Sequence, residues 1–298
     1  MKINKRENGT LLITGAGGFV GRHLVRAACA AGWNTVAFWH FVEPTFIPGS
    51  VDIQVDITDE HAVRSNFDDL RPSAVIHCAA VAGIRHCADD KITAAKVNIH
   101  GTENIAKSAA RTGAYMIYVS TDLVFNGIRG NYGEFDPPNP ACFYGSTKYL
   151  GELSVISSKC QYSIARLATV YGHGMGCSDN FLDSLLVRLQ RGETSKLFDD
   201  EYRSFVFIDD ACAKLLKLAE RQLNGIFHIA GPERLSSYDF GLKVAKRYGF
   251  PTSLLHRISS DETESIEKRP KDCSLSNEKT VTRLGRFQPV ETALDRHL

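Results

Sequence analysis

The stretch Thr10-Leu-Leu-Ile-Thr14, Gly15-Ala-Gly17-Gly18-Phe19-Val20-Gly21, Arg22-His-Leu-Val-Arg-Ala-Ala28 decides the fold. A short apolar run that stops at glycine reads as a buried strand, and the pattern after Gly18 reads as a helix. Gly15, Gly18 and Gly21 recur at every third position. Glycine adopts backbone angles closed to other residues and lets a ligand lie directly against the main chain. The helix that follows presents unpaired N–H groups and a partial positive charge to an anion. Strand, glycine turn and helix therefore form a seat for a dinucleotide pyrophosphate, in a G-x-x-G-x-x-G form. Gly15, Gly18, Phe19, Val20 and Gly21 are its candidate residues.

Outward from this turn, apolar runs alternate with helical patterns as far as Leu167. Strands are expected at 10–14, 34–39, 51–55, 73–78, 115–119 and 162–167, with helices at 18–31, 59–69, 91–112 and 143–158. That alternation predicts βαβ units and a parallel sheet. The helix at 143–158 carries Tyr144-Gly-Ser-Thr-Lys148, whose phenol and ammonium share one face four residues apart. A neighbouring cation lowers a phenol's pKa from about 10 toward working pH. Such a phenol suits proton transfer in a carbonyl/alcohol interconversion. Beyond Gly172 the expectation is a helix over 181–191, a strand over 204–208, a helix over 211–221 capped by Asp209 and Asp210, and a strand over 225–230.

Further landmarks follow in order. Asp56-Ile57 closes the run Val51–Val55, and His77-Cys78-Ala79-Ala80 ends the run from Ala74. Asn98 lies in the next helix, Ser120-Thr121-Asp122 ends the run Ile117–Val119, and Arg166-Leu-Ala-Thr-Val-Tyr-Gly172 follows the Tyr/Lys helix. From Gly15 to Gly172 the chain resembles the extended short-chain dehydrogenase/reductases. Within them it resembles most the dTDP-4-dehydrorhamnose reductase group, through Ser120–Gly127, Glu134–Pro140, Tyr144–Lys148, Phe227–Gly231 with Ser236–Phe240, and Arg269–Leu275. The resemblance implies a Rossmann-type doubly wound sheet with a smaller C-terminal substrate lobe. Residues 1–172 and about 204–230 would form the nucleotide domain, and 173–203 with 231–298 the lobe. It also implies cofactor contacts from Asp56, Ile57, Cys78, Ala79, Ala80, Asn98 and Ser120.

In that frame a hydride passes to a substrate carbonyl, Tyr144 gives the proton, Lys148 holds the ribose and biases Tyr144, and Thr121 bonds the carbonyl oxygen. Leu123 stands where the related 4,6-dehydratases keep a proton-transferring acid, which disfavours dehydration. A nucleotide-sugar 4-epimerase remains an alternative, as does the non-catalytic role of the methionine adenosyltransferase regulatory subunit, which belongs to the same group. No carboxylate follows Phe38 to bind a ribose 2′-hydroxyl, while Arg22 and His40 are available to a 2′-phosphate. NADP(H) is thus favoured and NAD(H) left open. Asn180, Arg203 and Arg269 are the candidates for a nucleotide-sugar substrate.

Composition excludes other classes. A net charge of +1 over 298 residues gives no electrostatic case for nucleic acid or membrane binding. No apolar stretch approaches the ~20 residues of a membrane span. Eight cysteines without a C-x-x-C read as reduced thiols of a cytoplasmic protein. His86-Cys87 and His173 with Cys177 lack partners at ligand spacing, so no metal is expected. The sequence is silent on oligomeric state and leaves a homodimer open.

Overall fold

The computed structural model of the chain describes residues 9–44, 47–176, 180–262, 267 and 269–296. The elements run β1 (Thr10–Thr14), α1 (Phe19–Ala30), β2 (Asn34–Trp39), β3 (Ser50–Gln54), α2 (Glu60–Leu70), β4 (Ala74–His77), α3 (Ile84–Asp89), α4 (Lys91–Ala95), a π-helical turn Lys96–Gly101, α5 (Thr102–Thr112), β5 (Tyr115–Thr121), α6 (Phe143–Ser157) and β6 (Tyr162–Leu167). They continue as β7 (Val170–Tyr171), α7 (Phe181–Gln190), β8 (Ser195–Phe198), β9 (Tyr202–Ser204), β10 (Val206–Phe207), α8 (Ile208–Arg221), β11 (Gly225–Ile229), β12 (Arg234–Ser236), α9 (Ser237–Tyr248), β13 (Leu255–Ile258), α10 (Glu278–Leu284) and α11 (Val290–Asp295).

Seven strands form the main sheet in the order β11-β6-β5-β4-β1-β2-β3. β1 pairs in parallel with β2 on one side and β4 on the other, and β2–β3 and β4–β5 are parallel too. Chain order therefore reverses between β1 and β4, the switch point where doubly wound sheets bind ligands outside their carboxyl ends. The inner strands β1, β2 and β4 are buried on both faces, as helix-covered parallel strands must be, so they read as continuous apolar runs. Leu12, Val36, Phe38, Val75, Ile105, Met116, Tyr118, Val155 and Ile164 form one core cluster around them.

Contacts divide the chain into two compact units. The first comprises the chain up to Ser120, Phe143–Ala165 and Cys212–Ile226; the second comprises Thr121–Cys142, Arg166–Ala211 and Phe227 onward. These boundaries differ from the expected ones, chiefly because 121–142 belongs with the second unit. Within that unit Gly127, at φ +71, packs on Pro270 and Lys271, Asp272 N donates to Gly127 O at 2.9 Å, and Tyr132 bridges to Leu275. Three two-stranded ribbons complete it, β10 with β7, β12 with β9 and β13 with β8. Phe205 stacks on Phe240 at 4.4 Å, and Tyr171 and Phe181 pack on the same ring.

Two expectations need correction. The helix expected over 91–112 is interrupted by the π turn. There the Thr102 amide turns to Ile99 O, and its hydroxyl takes Asn98 O at 2.7 Å, the acceptor an α-helix would give the amide. Asp209 and Asp210 sit inside the first turn of α8 rather than ahead of it. The carboxylate of Asp210 accepts from Gln288 N and Nε2, a partner 78 residues away. None of the described helices is long and apolar enough to cross a membrane.

Candidate active site

The glycine turn leaves β1 at the switch point. Gly15 has φ +70, and a Cβ there would lie 2.7 Å from Ala79 N; a Cβ on Gly21 would lie 2.1 Å from Gly15 O. The turn is thus packed against the segment after β4, and only glycine fits. Gly18, the N-cap of α1, provides no side-chain cap, and the first turn holds no carboxylate. The N-terminal N–H groups of this twelve-residue helix thus receive neither a capping side chain from Gly18 nor a carboxylate from the first turn. Phe19 packs edge-on to His23 inside that turn.

A buried chain of hydrogen bonds fixes the two strand ends. Thr14 Oγ1 accepts from Cys78 N at 3.2 Å and Ala79 N at 3.1 Å, and lies 2.7 Å from His77 Nδ1. His77 Nε2 lies 3.1 Å from Thr102 Oγ1, whose own hydrogen goes to Asn98 O. His77 therefore donates from Nε2 and accepts at Nδ1. Burial, with the Lys148 charge nearby, pushes its pKa down to about 3 and keeps it neutral. Sequence reasoning counted neither Thr14, His77 nor Thr102 among the site residues, although the motif His77-Cys-Ala-Ala80 pointed at their neighbourhood.

Asn98, fully buried, ties this system to the helix of the Tyr/Lys pair. It accepts from Val81 N at 2.8 Å and donates to Val81 O at 3.0 Å and Thr147 Oγ1 at 2.9 Å. Thr147 Oγ1 in turn donates to Tyr144 O. Tyr144 is half-buried on the first turn of α6. One turn on, Lys148 is 2% exposed. Its ammonium lies 4.1 Å from the centre of the Tyr118 ring, a contact worth most when water is excluded. Desolvation lowers the Lys148 pKa to about 8. Burial also raises the Cys78 thiol to about 12, so it stays protonated and unreactive.

At the end of β5, Ser120 Oγ donates to the buried carboxylate of Glu152 at 2.6 Å. Thr121 Oγ1 accepts from Leu123 N at 3.2 Å and donates to Asp122 Oδ1 at 3.1 Å. Asp122 is itself buried, and burial raises its pKa above the usual carboxylate range despite Arg203 at 3.8 Å.

The adenine-side candidates fall into place unevenly. Asp56 accepts from Thr58 N and Oγ1, both at 2.8 Å, in a tight turn. Ile57 packs under Gly101, where a Cβ would meet it at 2.7 Å. His40 packs at a tilt against Phe41 after β2. Arg22, expected either beside a 2′-phosphate or on the surface, is buried, and its Nη2 donates to Gly17 O at 2.6 Å. Its visible work is on the turn itself.

The three substrate candidates all lie in the second unit. Asn180 caps α7, accepting from Asp183 N at 2.9 Å and donating to Asp183 Oδ2 at 2.9 Å. Arg203, buried, donates to the carbonyls of Tyr202, Lys271 and Pro270 and lies 3.6 Å from Glu201. Arg269 is held by Glu201 through two parallel hydrogen bonds and covers the Phe198 ring. The structure gives all three a local structural partner. No group of three or more His, Cys, Asp or Glu able to hold a metal occurs among the described residues; Cys177 lies outside them.

Glycine turn, switch point and the Tyr144/Lys148 helix define a Rossmann-type extended short-chain dehydrogenase/reductase. A family model described as the RmlD substrate binding domain matches residues 9–298, and the chain belongs to that family. Methionine adenosyltransferase 2 subunit beta of Xenopus tropicalis is 31% identical over 274 residues, covering 88% of this chain and 80% of that protein. Spore coat polysaccharide biosynthesis protein SpsK of Bacillus subtilis (strain 168) is 29% identical over 269 residues, covering 90% and 89%. The crystal structure of dTDP-4-dehydrorhamnose reductase from Bacillus anthracis str. Ames in complex with NADP superimposes with a TM-score of 0.86 at 25% identity, covering 97% of this chain and 98% of that one. The family resemblance and the fold class read from the sequence are both borne out.

Proposed function

We propose that the protein is an NADP(H)-dependent reductase of a nucleotide-linked 4-keto-6-deoxy sugar. The observation that carries this reading is Lys148, an ammonium buried to 2% exposure one helical turn beyond Tyr144. A lysine held dry at that cost calls for a task that needs its charge.

The residues fit a nicotinamide dinucleotide. The uncapped N-terminus of α1 and the glycine turn, closed to any Cβ at Gly15 and Gly21, would hold the pyrophosphate. Asp56, Ile57 and His40 would flank the adenosine, and Lys148 the nicotinamide ribose. The similarity to the NADP complex supports the phosphorylated form. When bound, the cofactor supplies the hydride.

The protein's own residues do the rest. Tyr144 gives its phenolic proton to the substrate oxygen as charge develops there, and the Lys148 ammonium stabilises the phenolate left behind. Thr121, or Ser120 beside it, orients the carbonyl. The His77 and Asn98 networks hold β4, the π turn and α6 in register, so that the phenol is presented without reorganisation. Asn180, Arg203 and Arg269 act on the substrate by shaping the second unit, and Arg269, paired with Glu201, would meet a diphosphate in competition with that carboxylate. The test is Tyr144→Phe, assayed by NADPH oxidation over a panel of nucleotide 4-keto-6-deoxy sugars. It should lower kcat by about 10²–10⁴-fold with NADPH binding retained; full activity in the variant refutes the assignment.

A second reading is favoured by the similarity to methionine adenosyltransferase 2 subunit beta: an NADP-binding subunit of another enzyme, without turnover of its own. It predicts NADPH binding and capture of a partner enzyme, with no oxidation of NADPH on any sugar of the panel.

A further inference from the structure

The buried carboxylate of Glu152 has no part in the scheme above, yet it lies on the same line of α6 as Tyr144 and Lys148, four residues beyond the lysine. Residues 144, 148 and 152 follow one another one turn apart on one helix face. Glu152 is 1% exposed. A carboxylate taken so far from water costs several kcal/mol unless it is hydrogen-bonded and faces a cation. The hydrogen bond is made inside the first unit, and a buried cation stands one turn back on the same helix face. Ser120 Oγ, at the end of β5, donates to Glu152 Oε1 at 2.6 Å. The cation is Lys148.

The surroundings of that ammonium single Glu152 out. β4 brings His77, which is neutral, and the residue after it the thiol of Cys78; α3 brings the thiol of Cys87; β5 brings the ring of Tyr118; α6 itself brings Glu152. Among the described residues, Glu152 is the one carboxylate that acts on Lys148. The tyrosine ring attracts the ammonium through its face but carries no charge.

We propose that Glu152 is a positioning residue of the reductase site, which supplies the countercharge that keeps Lys148 an ammonium and, through Ser120, pins the end of β5 to the same helix. The proposal rests on the reductase reading for its consequence in turnover, but its physical core is a coupling between two side chains that is measurable without cofactor or substrate.

That coupling is tested on the unliganded protein by following the side-chain Cε and Nζ signals of Lys148 by NMR against pH, assigned through Lys148→Arg. Glu152→Gln keeps the size and an acceptor for Ser120 but removes the charge. The Lys148 midpoint should then fall from about 8 by roughly one pH unit, and the alkaline limit of NADPH affinity should move down with it. Glu152→Asp, which keeps the charge, should restore most of the shift. A Lys148 midpoint unchanged in Glu152→Gln overturns the proposal and leaves Glu152 a mere brace for Ser120. If Glu152→Gln does not fold, the double variant Glu152→Gln/Lys148→Met leaves no charge uncompensated. Recovery of the fold in it supports the coupling, and failure to recover overturns it. Absence of reductase turnover in the unaltered protein would overturn the reductase reading while leaving the Lys148 titration a valid measure of Glu152.

Discussion

Gly18 and Gly21 stand three residues apart in the same turn, yet the structure assigns them different penalties. A Cβ on Gly21 would lie 2.1 Å from Gly15 O and 2.7 Å from Gly15 C, both backbone atoms. Carbon–oxygen contacts settle near 3.3 Å, so Gly21→Ala must push two backbone segments apart by about 1 Å. Overpacking of this kind costs about 1–3 kcal/mol, several degrees of Tm in a chain of this size. Gly18 has φ −81 and ψ 170, angles open to any residue, and an added Cβ meets only Gly15 O at 3.3 Å. Gly18→Val should therefore fold with nearly the parent Tm. Its side chain would nevertheless stand at the N-terminus of α1, where the pyrophosphate is proposed to dock. Each lost hydrogen bond to a charged group is worth about 1.5–3 kcal/mol, so NADPH affinity should fall by at least about tenfold. Calorimetric titration with NADPH, alongside thermal melts by circular dichroism, separates the two effects. Gly18→Val binding NADPH with parent affinity would refute the placement of the pyrophosphate; Gly21→Ala melting with the parent would refute the packing argument.

Three further outcomes are expected. Arg203→Ala should remove the partner of three backbone carbonyls and of the buried Glu201 and Asp122; a loss of about 3–5 kcal/mol, roughly 10 °C in Tm, follows, and an unchanged melt would show the charges are compensated elsewhere. Because Arg22 is bonded to Gly17 O, Arg22→Ala should weaken NADPH and NADH alike, whereas His40→Ala should reduce NADPH affinity selectively; a selective effect of Arg22→Ala in binding assays would place its guanidinium on the 2′-phosphate after all. Lys148, lowered to about 8, is charged below that pH and neutral above it; NADPH affinity measured between about pH 6 and 10 should therefore be highest on the acid side and decline through pH 8, and a flat profile would separate Lys148 from cofactor binding.

The half of the molecule built from local signals was legible in the sequence. β1, β2 and β6 begin and end where apolar runs meet glycine or polar residues, and the glycine turn follows from spacing alone. The parts that escaped depend on partners distant in sequence. In the π turn the Thr102 hydroxyl takes the Asn98 carbonyl that a straight helix gives the amide, and the Asn98 side chain reaches Val81; nothing in 91–112 announces Val81. Arg203 reads as a solvated phosphate ligand until Pro270 and Lys271 return across it. α9 carries its own local signal: Ser236-x-x-Asp239 is a capping box. Asn180-x-x-Asp183 is the same kind of signal at α7.

The candidate site shows the same division, and its energetics say which half bears function. Tyr144 and Lys148 were legible as a spacing, but not the burial that gives the spacing its meaning. An exposed pair four residues apart is worth a few tenths of a kcal/mol and explains nothing. A lysine whose pKa falls from 10.5 to about 8 on folding destabilises the neutral-pH fold by on the order of 3 kcal/mol, because the unfolded chain binds its proton more tightly. Stability rises only as pH climbs through the window between those values. A methionine of similar volume would fill the place against Tyr118 without that cost. The chain instead keeps the ammonium, flanks it with neutral His77 and Cys78 and sets Glu152 behind it. A local conflict of this kind, a buried ammonium on α6 against the β5 ring of Tyr118, is what the proposed reductase role of Lys148 would explain.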